Sequence, residues 1–142
     1  MENHVEKAVE LHGKKYNCAQ AVACAFCDRT KVDEETMFKL SEGFGGGMGG
    51  FQQVCGAVSG AIMVAGLLTS AGKPVIPPTK KETYRLAQEI AQRFQQKNGS
   101  VICKELKGIE TGKVLRSCPG CVEDAARILE ELFPSEGPVS PT

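Results

Sequence analysis

The fold is decided by the stretch QVCGAVSGAIMVAGLLTSA, which occupies residues 53–71. It lies within a longer segment, residues 43–72, that contains no charged side chain. Gly56 and Gly60 are four residues apart, so they share one side of a helix, and small residues at that spacing let another backbone approach closely. The apolar part, 54–68, is about 15 residues long, whereas a membrane span needs about 20. We therefore predict a buried central helix, with a transmembrane helix as the alternative.

Hydrophobic periodicity predicts five further helices joined by short connections. They cover residues 2–12, 17 to about 27, 33–42, 80–97 and about 119–133. Asn17, Asp33 and Thr79 are expected to cap the helices that follow them. Apolar side chains expected to point inward include Met37, Phe38, Leu40 and Tyr84. We predict an all-α fold, a single-domain bundle of about six helices around the Gly/Ala-rich helix, over residues 1–133, with a flexible polar tail at 134–142.

A glycine-rich segment, GFGGGMGG at residues 43–50, precedes the predicted central helix. Glycine at this density disfavours helix and permits positive φ, so a cofactor, a thiol or another helix can approach the backbone. The segment lacks the Lys-Ser/Thr pair of a phosphate-binding loop. We predict cofactor contacts at five glycines, with a tight crossover loop as the alternative. The five are Gly45, Gly46, Gly47, Gly56 and Gly60.

The charge of the chain argues against a nucleic-acid partner. It has 17 Lys and Arg against 17 Asp and Glu residues, without a long basic run. Residues 1–7, MENHVEK, do not form the basic-then-apolar pattern of a signal peptide. We therefore expect a cytoplasmic protein whose thiols are kept reduced. The odd total of seven cysteines fits this expectation, since at least one must stay unpaired within the chain.

The sharpest local motif is Cys118-Pro119-Gly120-Cys121, at the predicted start of the last helix. Two cysteines at this spacing can close a small disulfide ring, and the free N–H groups of a helix start lower the pKa of a thiol. The spacing matches dithiol oxidoreductases, although the β-α-β pattern of the thioredoxin fold is missing. The alternative is a helix start that carries two incidental thiols.

Cys18 and Cys55 also begin predicted helices, so three helix starts carry a cysteine. If these ends converge, their dipoles would favour thiolates or an anionic thiolate–metal centre. The alternative for Cys55 is a buried, small apolar residue.

Two further cysteines and both histidines are expected to have no catalytic role. Cys24 and Cys27 lie on an apolar helix away from its start, which favours core packing. His4 and His12 are expected near solvent, without a carboxylate or cysteine partner.

Together, these motifs resemble the C_GCAxxG_C_C family of bacterial and archaeal redox-active domains, named for its cysteine pattern. The match covers nearly the whole chain up to about residue 133. The matching segments are Asn17-Cys18-Ala19-Gln20-Ala21-Val22, residues 43–49, Cys55-Gly56-Ala57-Val58-Ser59-Gly60-Ala61-Ile62-Met63, Cys103-Lys104-Glu105-Leu106-Lys107-Gly108, and Cys118 followed by residues 122–129. The combination is specific to the family, whereas each motif alone is weak.

The resemblance implies a redox-active protein that depends on four cysteines, which by position are Cys18, Cys55, Cys103 and Cys118. Cys121 departs from the family pattern, so either thiol of the last motif could fill the fourth position. Family members often accompany transporter genes, and related domains occur beside haem-binding segments. This chain lacks Cys-x-x-Cys-His, so covalent haem is not implied.

The sequence is compatible with three functions. The favoured hypothesis is a redox protein whose clustered cysteines cycle between dithiol and disulfide with an unidentified redox partner, Cys55 or Cys118 being the attacking thiolate. The catalytic candidates are Cys18, Cys55, Cys103, Cys118 and Cys121. The second hypothesis is that Cys18, Cys55, Cys103 and Cys118 bind zinc, another soft metal or an iron–sulfur cluster. The third is a non-catalytic partner of a membrane transporter, and the glycine-rich surface also suggests a homodimer.

Overall fold

The computed structural model describes residues 3–134, which contain eight α-helices and one π-helical turn. The helices are α1 (His4–Gly13), α2 (Cys18–Ala25), α3 (Cys27–Thr30), α4 (Glu34–Glu42), α5 (Gly56–Thr69), α6 (Lys80–Asn98), α7 (Cys103–Lys107) and α8 (Cys118–Leu132). The π-helical turn, Gly47–Phe51, lies between α4 and α5. The predicted all-α fold class is therefore confirmed. The described part has more helices than predicted because the short α3 follows α2 as a separate helix and because α7 lies between the last two predicted helices.

The core forms where α5 packs against α2, α6 and α8, while α1 packs against α2 and α8. α2 and α5 approach closely because the residues between them are small. A β-carbon added at Gly60 would lie 2.7 Å from the Ala19 carbonyl oxygen, and one added at Gly56 would lie 2.9 Å from the Phe44 carbonyl oxygen. The two glycines therefore set how closely α5 approaches its neighbours.

Replacing Gly60 by alanine is expected to destabilise the protein by about 1 to 3 kcal/mol, because the new methyl group would meet backbone atoms that cannot move aside. Gly66→Ala is the matched control in the same helix, since a β-carbon there meets nothing within 4 Å. That variant should be neutral or gain roughly 0.5 to 1 kcal/mol from the better helix propensity of alanine. Urea unfolding measures both, and equal stabilities would contradict the close contact at Gly60.

Polar caps fix the starts of α2 and α8. The Asn17 side chain accepts a hydrogen bond from the Gln20 N–H, and the Gln20 side chain accepts one from the Asn17 N–H, each 2.9 Å long. This reciprocal pair is a capping box. At α8, the Ser117 hydroxyl oxygen accepts a hydrogen bond of 3.1 Å from the Gly120 N–H in the first turn. These caps make Cys18 and Cys118 the first residues of their helices.

The long apolar helix begins at Gly56, and not at residue 53, because the residues before it pair with another segment. Residues 53–55 run antiparallel to residues 101–103 through an isolated β-bridge. The Cys55 N–H donates to a carbonyl of the second segment at 2.7 Å, and the Cys103 N–H donates back at 2.8 Å. This short pairing brings Cys55 and Cys103 to adjacent places in the fold.

Two side chains predicted to point inward face solvent instead. Leu40 is 56% exposed and Tyr84 is 67% exposed. On α6 the buried positions are 86, 90, 94 and 98, a narrow stripe spaced by four residues, and Tyr84 falls outside it. Thr79 precedes α6 but does not cap it, because its hydroxyl oxygen accepts a hydrogen bond from the Ala71 N–H at 3.2 Å.

His4 is buried, so the prediction that it lies near solvent without a carboxylate partner is wrong. Its ring stacks on Phe26 with the centroids 4.5 Å apart. Its Nε2 lies 2.9 Å from both carboxylate oxygens of Asp28, and its Nδ1 hydrogen-bonds the Glu130 carboxylate. The histidine thereby ties α1 to α3 and α8.

Within residues 3–134, no helix combines the length and the apolar character that crossing a membrane requires. Eight residues of α5, all in its first ten positions, are buried in the protein. The tail predicted at 134–142 lies outside the described residues apart from its first residue, and so do residues 1 and 2.

Candidate functional site

A cavity of about 310 Å³ lies where the starts of α2, α5, α7 and α8 meet. Five cysteines line it, namely Cys18, Cys55, Cys103, Cys118 and Cys121. These are the five cysteines predicted from the sequence as catalytic candidates, and they come from four separate segments of the chain. Cys24 is buried in the hydrophobic core, and the half-buried Cys27 packs against that core.

Each of the four helix starts at this cavity carries a cysteine. Cys18, Cys103 and Cys118 are the first residues of α2, α7 and α8, and Cys55 immediately precedes α5. The first N–H groups of a helix have no partners within that helix and carry the positive end of its dipole. Helix starts gathered around one cavity therefore provide an environment that can stabilise a thiolate.

Cys18 and Cys118, both half-buried, line the cavity together and shift each other's pKa, and they are called here the outer pair. The Cys18 thiol, together with the Lys107 ammonium group, lowers the pKa of Cys118 to about 5. The Cys118 sulfur and burial raise the pKa of Cys18. Cys118 is therefore a thiolate at neutral pH, while Cys18 keeps its proton. His12 Nε2 lies 3.8 Å from the Cys18 sulfur, so the expectation that no cysteine lies near His12 is wrong.

Cys55 and Cys121 line the same cavity, shift each other's pKa, and are only 5% and 3% exposed; they are called here the inner pair. The Cys121 thiol lowers the pKa of the neighbouring Cys55, and its sulfur also lies 4.0 Å from the Arg116 carbonyl oxygen, to which it can donate. The N–H groups of Ala57 and Val58 lower the pKa of Cys55 further, although neither makes a full capping hydrogen bond. The Cys55 sulfur and burial raise the pKa of Cys121. Each pair thus combines one thiolate-prone sulfur with one proton-holding sulfur.

The two cysteines of the Cys118-x-x-Cys121 motif therefore have different partners. The pKa of Cys118 responds most to Cys18 of α2, and the pKa of Cys121 responds most to Cys55 just before α5. The charge of Cys118 also raises the pKa of Cys121, so the two pairs interact electrostatically. All seven cysteines of the chain are free thiols.

Cys103 is buried beside the glycine-rich segment. Its pKa is raised, first by burial and then by the charge of the neighbouring Cys55. A β-carbon added at Gly47 would lie 2.5 Å from the Cys103 β-carbon, and Gly47 has a φ of +56°. Both the space and the backbone conformation therefore require glycine at this position, where the loop closes over Cys103.

The five glycines predicted to contact a cofactor divide into two groups. Gly46, Gly47 and Gly56 line the cavity. Gly45 instead lies against the Asn17 side chain, and Gly60 lies against the Ala19 backbone. Only the first group faces the space that a ligand would occupy.

Lys107 and Phe51 also line the cavity, and sequence reasoning missed both. Lys107 lies one helical turn after Cys103 on α7 and donates a hydrogen bond to Cys118. Its Nζ is 5.5 Å from the centroid of the Phe51 ring, a cation–π contact at the end of the π-helical turn. A lysine four residues after a candidate cysteine is the signal that could have identified it.

Replacing Lys107 by methionine is expected to raise the pKa of Cys118 by about one pH unit or more, because a neighbouring positive charge favours the thiolate. Lys104→Met on the same helix is the control, since Lys104 pairs with Glu110 at 3.1 Å. The pH dependence of alkylation at Cys118, followed by mass spectrometry, measures the effect. Identical curves for the Lys107 variant and the unaltered protein would contradict the role of this lysine.

The arrangement of the thiols does not fit the predicted metal site. Among residues 3–134, no group of three or more His, Cys, Asp or Glu side chains is placed so that it could hold a metal ion. Of the four cysteines proposed as ligands, Cys18 and Cys118 form the outer pair. Cys55 belongs to the inner pair with Cys121, and Cys103 is a separate buried thiol.

Fold and site together define an all-α protein with a cysteine-lined cavity. The sequence model of one family, described as "Putative redox-active protein (C_GCAxxG_C_C)", matches residues 16–132, so the chain belongs to the C_GCAxxG_C_C family. An "Uncharacterized protein" of Archaeoglobus fulgidus is 28% identical over 107 residues, which is 70% of this chain and 71% of the relative. No solved structure matches the chain.

Proposed function

We propose that this protein carries out thiol–disulfide exchange, with Cys118 as the attacking thiolate and Cys18 as the resolving thiol. The observation that carries the proposal is the outer pair itself. Cys118 is half-buried and its pKa is lowered to about 5 by Cys18 and by the Lys107 ammonium group, while Cys18, whose pKa is raised, lines the same cavity and keeps its proton. These are the properties of a nucleophilic cysteine with a resolving cysteine.

One exchange between the reduced protein and a substrate disulfide balances without a cofactor. The Cys118 thiolate attacks one sulfur of a substrate disulfide, a mixed disulfide forms, and the first substrate sulfur leaves as a thiolate. Cys18 then gives its proton to that thiolate and attacks the Cys118 sulfur, which releases the second substrate sulfur as a thiolate. The dithiol has lost two electrons and the substrate disulfide has gained them.

The test is reversible oxidation of the purified, reduced protein with a small disulfide, followed by peptide mapping. We expect a Cys18–Cys118 disulfide to form and to be reversed by a dithiol reductant. A chain carrying both Cys24→Ser and Cys27→Ser should behave in the same way, because those thiols pack in and against the core. If the four paired thiols stayed reduced under these conditions, the proposal would be wrong.

Metal and acid-labile sulfide analysis of protein purified without oxygen or chelators distinguishes this proposal from the metal alternative. Stoichiometric metal that is lost when Cys18 or Cys118 is replaced would favour the alternative. Protein that contains no metal and whose thiols titrate reversibly would support thiol–disulfide exchange.

A further inference from the structure

The two thiol pairs differ in how easily a reagent reaches them. Cys18 and Cys118 are half-buried, whereas Cys55 and Cys121 are 5% and 3% exposed. A substrate disulfide, which must place a sulfur in line with the attacking thiolate, can therefore approach the outer pair more readily than the inner pair. The inner pair nevertheless resembles the outer pair in its acidity, because the pKa of Cys55 is lowered and the pKa of Cys121 is raised.

The Cys118-x-x-Cys121 motif connects the two pairs. Cys118 is the first residue of α8 and belongs to the outer pair, while Cys121 lies three residues later and belongs to the inner pair. Residues three apart are neighbours on a helix surface. Both sulfurs line the same cavity, so a disulfide between them needs no movement of one helix past another.

We propose that the two pairs form a relay, in which a Cys18–Cys118 disulfide is passed through a Cys118–Cys121 disulfide to become Cys55–Cys121. The relay rests on the thiol–disulfide exchange proposed above and adds a second, shielded store for a disulfide. After the transfer, the outer pair is again a dithiol and can reduce another substrate. A fully reduced chain thereby delivers four electrons.

The first step starts from the Cys18–Cys118 disulfide. Cys121 transfers its proton to the Cys55 sulfur, and the resulting Cys121 thiolate attacks the Cys118 sulfur. The Cys118–Cys121 bond forms, the Cys18–Cys118 bond breaks, and Cys18 leaves as a thiolate.

In the second step, Cys55 gives its proton to the Cys18 thiolate and attacks the Cys121 sulfur. The Cys55–Cys121 bond forms and Cys118 leaves as a thiolate. One disulfide has replaced another, so the relay needs no external oxidant or reductant. Lys107 stabilises the departing Cys118 thiolate, and a well-stabilised thiolate is the better leaving group.

The test follows where the disulfide lies over time. Reduced, oxygen-free protein is mixed with dithiobis(nitrobenzoate) in an amount that supplies a single disulfide per chain, quenched with acid at intervals, alkylated and mapped by mass spectrometry. We expect Cys18–Cys118 to appear first and Cys55–Cys121 to replace it. In a Cys55→Ser chain the transfer should stop after the first step, and the Cys118–Cys121 disulfide should accumulate. In a Cys121→Ser chain the outer disulfide should persist, and uptake of excess reagent at the paired thiols should fall about twofold.

Two outcomes would overturn the relay while leaving thiol–disulfide exchange intact. One is an outer disulfide that persists in the unaltered protein without the inner disulfide appearing. The other is an inner disulfide that forms at an unchanged rate in a Cys118→Ser chain, which would mean that the inner pair is oxidised directly. By contrast, a reduced state that persists at all four cysteines of the unaltered protein would reject the proposed function itself. Cys118→Ala, compared by circular dichroism and thermal melting, separates loss of exchange from loss of folding.

Discussion

A chain carrying Cys118→Ser is expected to lose its fast reaction with alkylating reagents near pH 6, and its exchange with substrate disulfides. With a pKa of about 5, Cys118 is mostly ionised at that pH, whereas a thiol with an ordinary pKa of about 8.5 is roughly 300-fold less ionised. A thiolate of lower pKa is intrinsically less nucleophilic, which offsets about 30-fold of that advantage. Without Cys118, the fastest phase of iodoacetamide incorporation into the whole chain should therefore slow by about tenfold or more.

Cys24→Ser is the matched control for this experiment. Burial raises the pKa of Cys24 to about 12, so this thiol contributes little thiolate near pH 6 and its removal should leave the fast reaction unchanged. A fast acidic reaction that survived in the Cys118→Ser chain would assign it to another cysteine. The inner pair would then be the place to look, because the pKa of Cys55 is also lowered.

The helix starts at Cys18 and Cys118 could be predicted because their signals are local. Asn17 stands directly before Cys18, and Ser117 stands directly before Cys118, so a few neighbouring residues decide where each helix begins. The partners of the thiols could not be predicted in the same way. Pairing of Cys118 with Cys18 depends on how α8 lies against α2, which no local pattern specifies.

Long-range partners explain the errors in the sequence-based predictions. His4 looked like a surface residue of a short amphipathic helix, but its two carboxylate partners are 24 and 126 residues away. Likewise, the start of the central helix was placed too early because residues 53–55 pair with residues 101–103. In each case a contact formed by the tertiary structure overrides the local pattern.

Glycine positions were recognised from the sequence, but their individual roles required the structure. The spacing of Gly56 and Gly60 predicted a close helix approach, and both glycines lie against neighbouring backbone. Gly47 serves a different purpose, because it makes room for the Cys103 side chain. Composition alone could not separate glycines that pack helices from those that border the cavity.

The position of Arg116, a cation that lines the cavity, depends on the buried carboxylate of Asp124. Asp124 is 1% exposed, and it accepts hydrogen bonds from Arg116 Nε at 2.9 Å and from Asn98 at 3.2 Å, as well as from the Lys97 ammonium group. Burial by itself would raise the pKa of Asp124, but these bonds outweigh it and hold the pKa below its usual value. Arg116 lines the cavity, so Asp124 positions a charge beside the thiols.

Asp124→Asn is expected to destabilise the protein by about 2 to 4 kcal/mol at neutral pH. Hydrogen bonds to a buried charge are lost, but Arg116 and Lys97 are 32% and 54% exposed and can be hydrated, so the cost stays below that of a fully buried, unpaired charge. Glu123→Gln is the control, because Glu123 is 42% exposed and its 3.3 Å ion pair with Arg116 should contribute less than about 1 kcal/mol.

The pH dependence of this loss tests its electrostatic origin. Because folding lowers the pKa of Asp124, its stabilisation is fully present above the unfolded pKa of about 3.9 and disappears as the pH falls through the lower folded value. A protonated Asp124 resembles asparagine, so the difference in unfolding free energy between the unaltered protein and the Asp124→Asn variant should shrink below about pH 4. Denaturant unfolding at several pH values measures this difference. If the difference in unfolding free energy stayed constant below about pH 4, Asp124 would act through packing. The position of the Arg116 guanidinium beside the thiols would then not depend on the charge of Asp124.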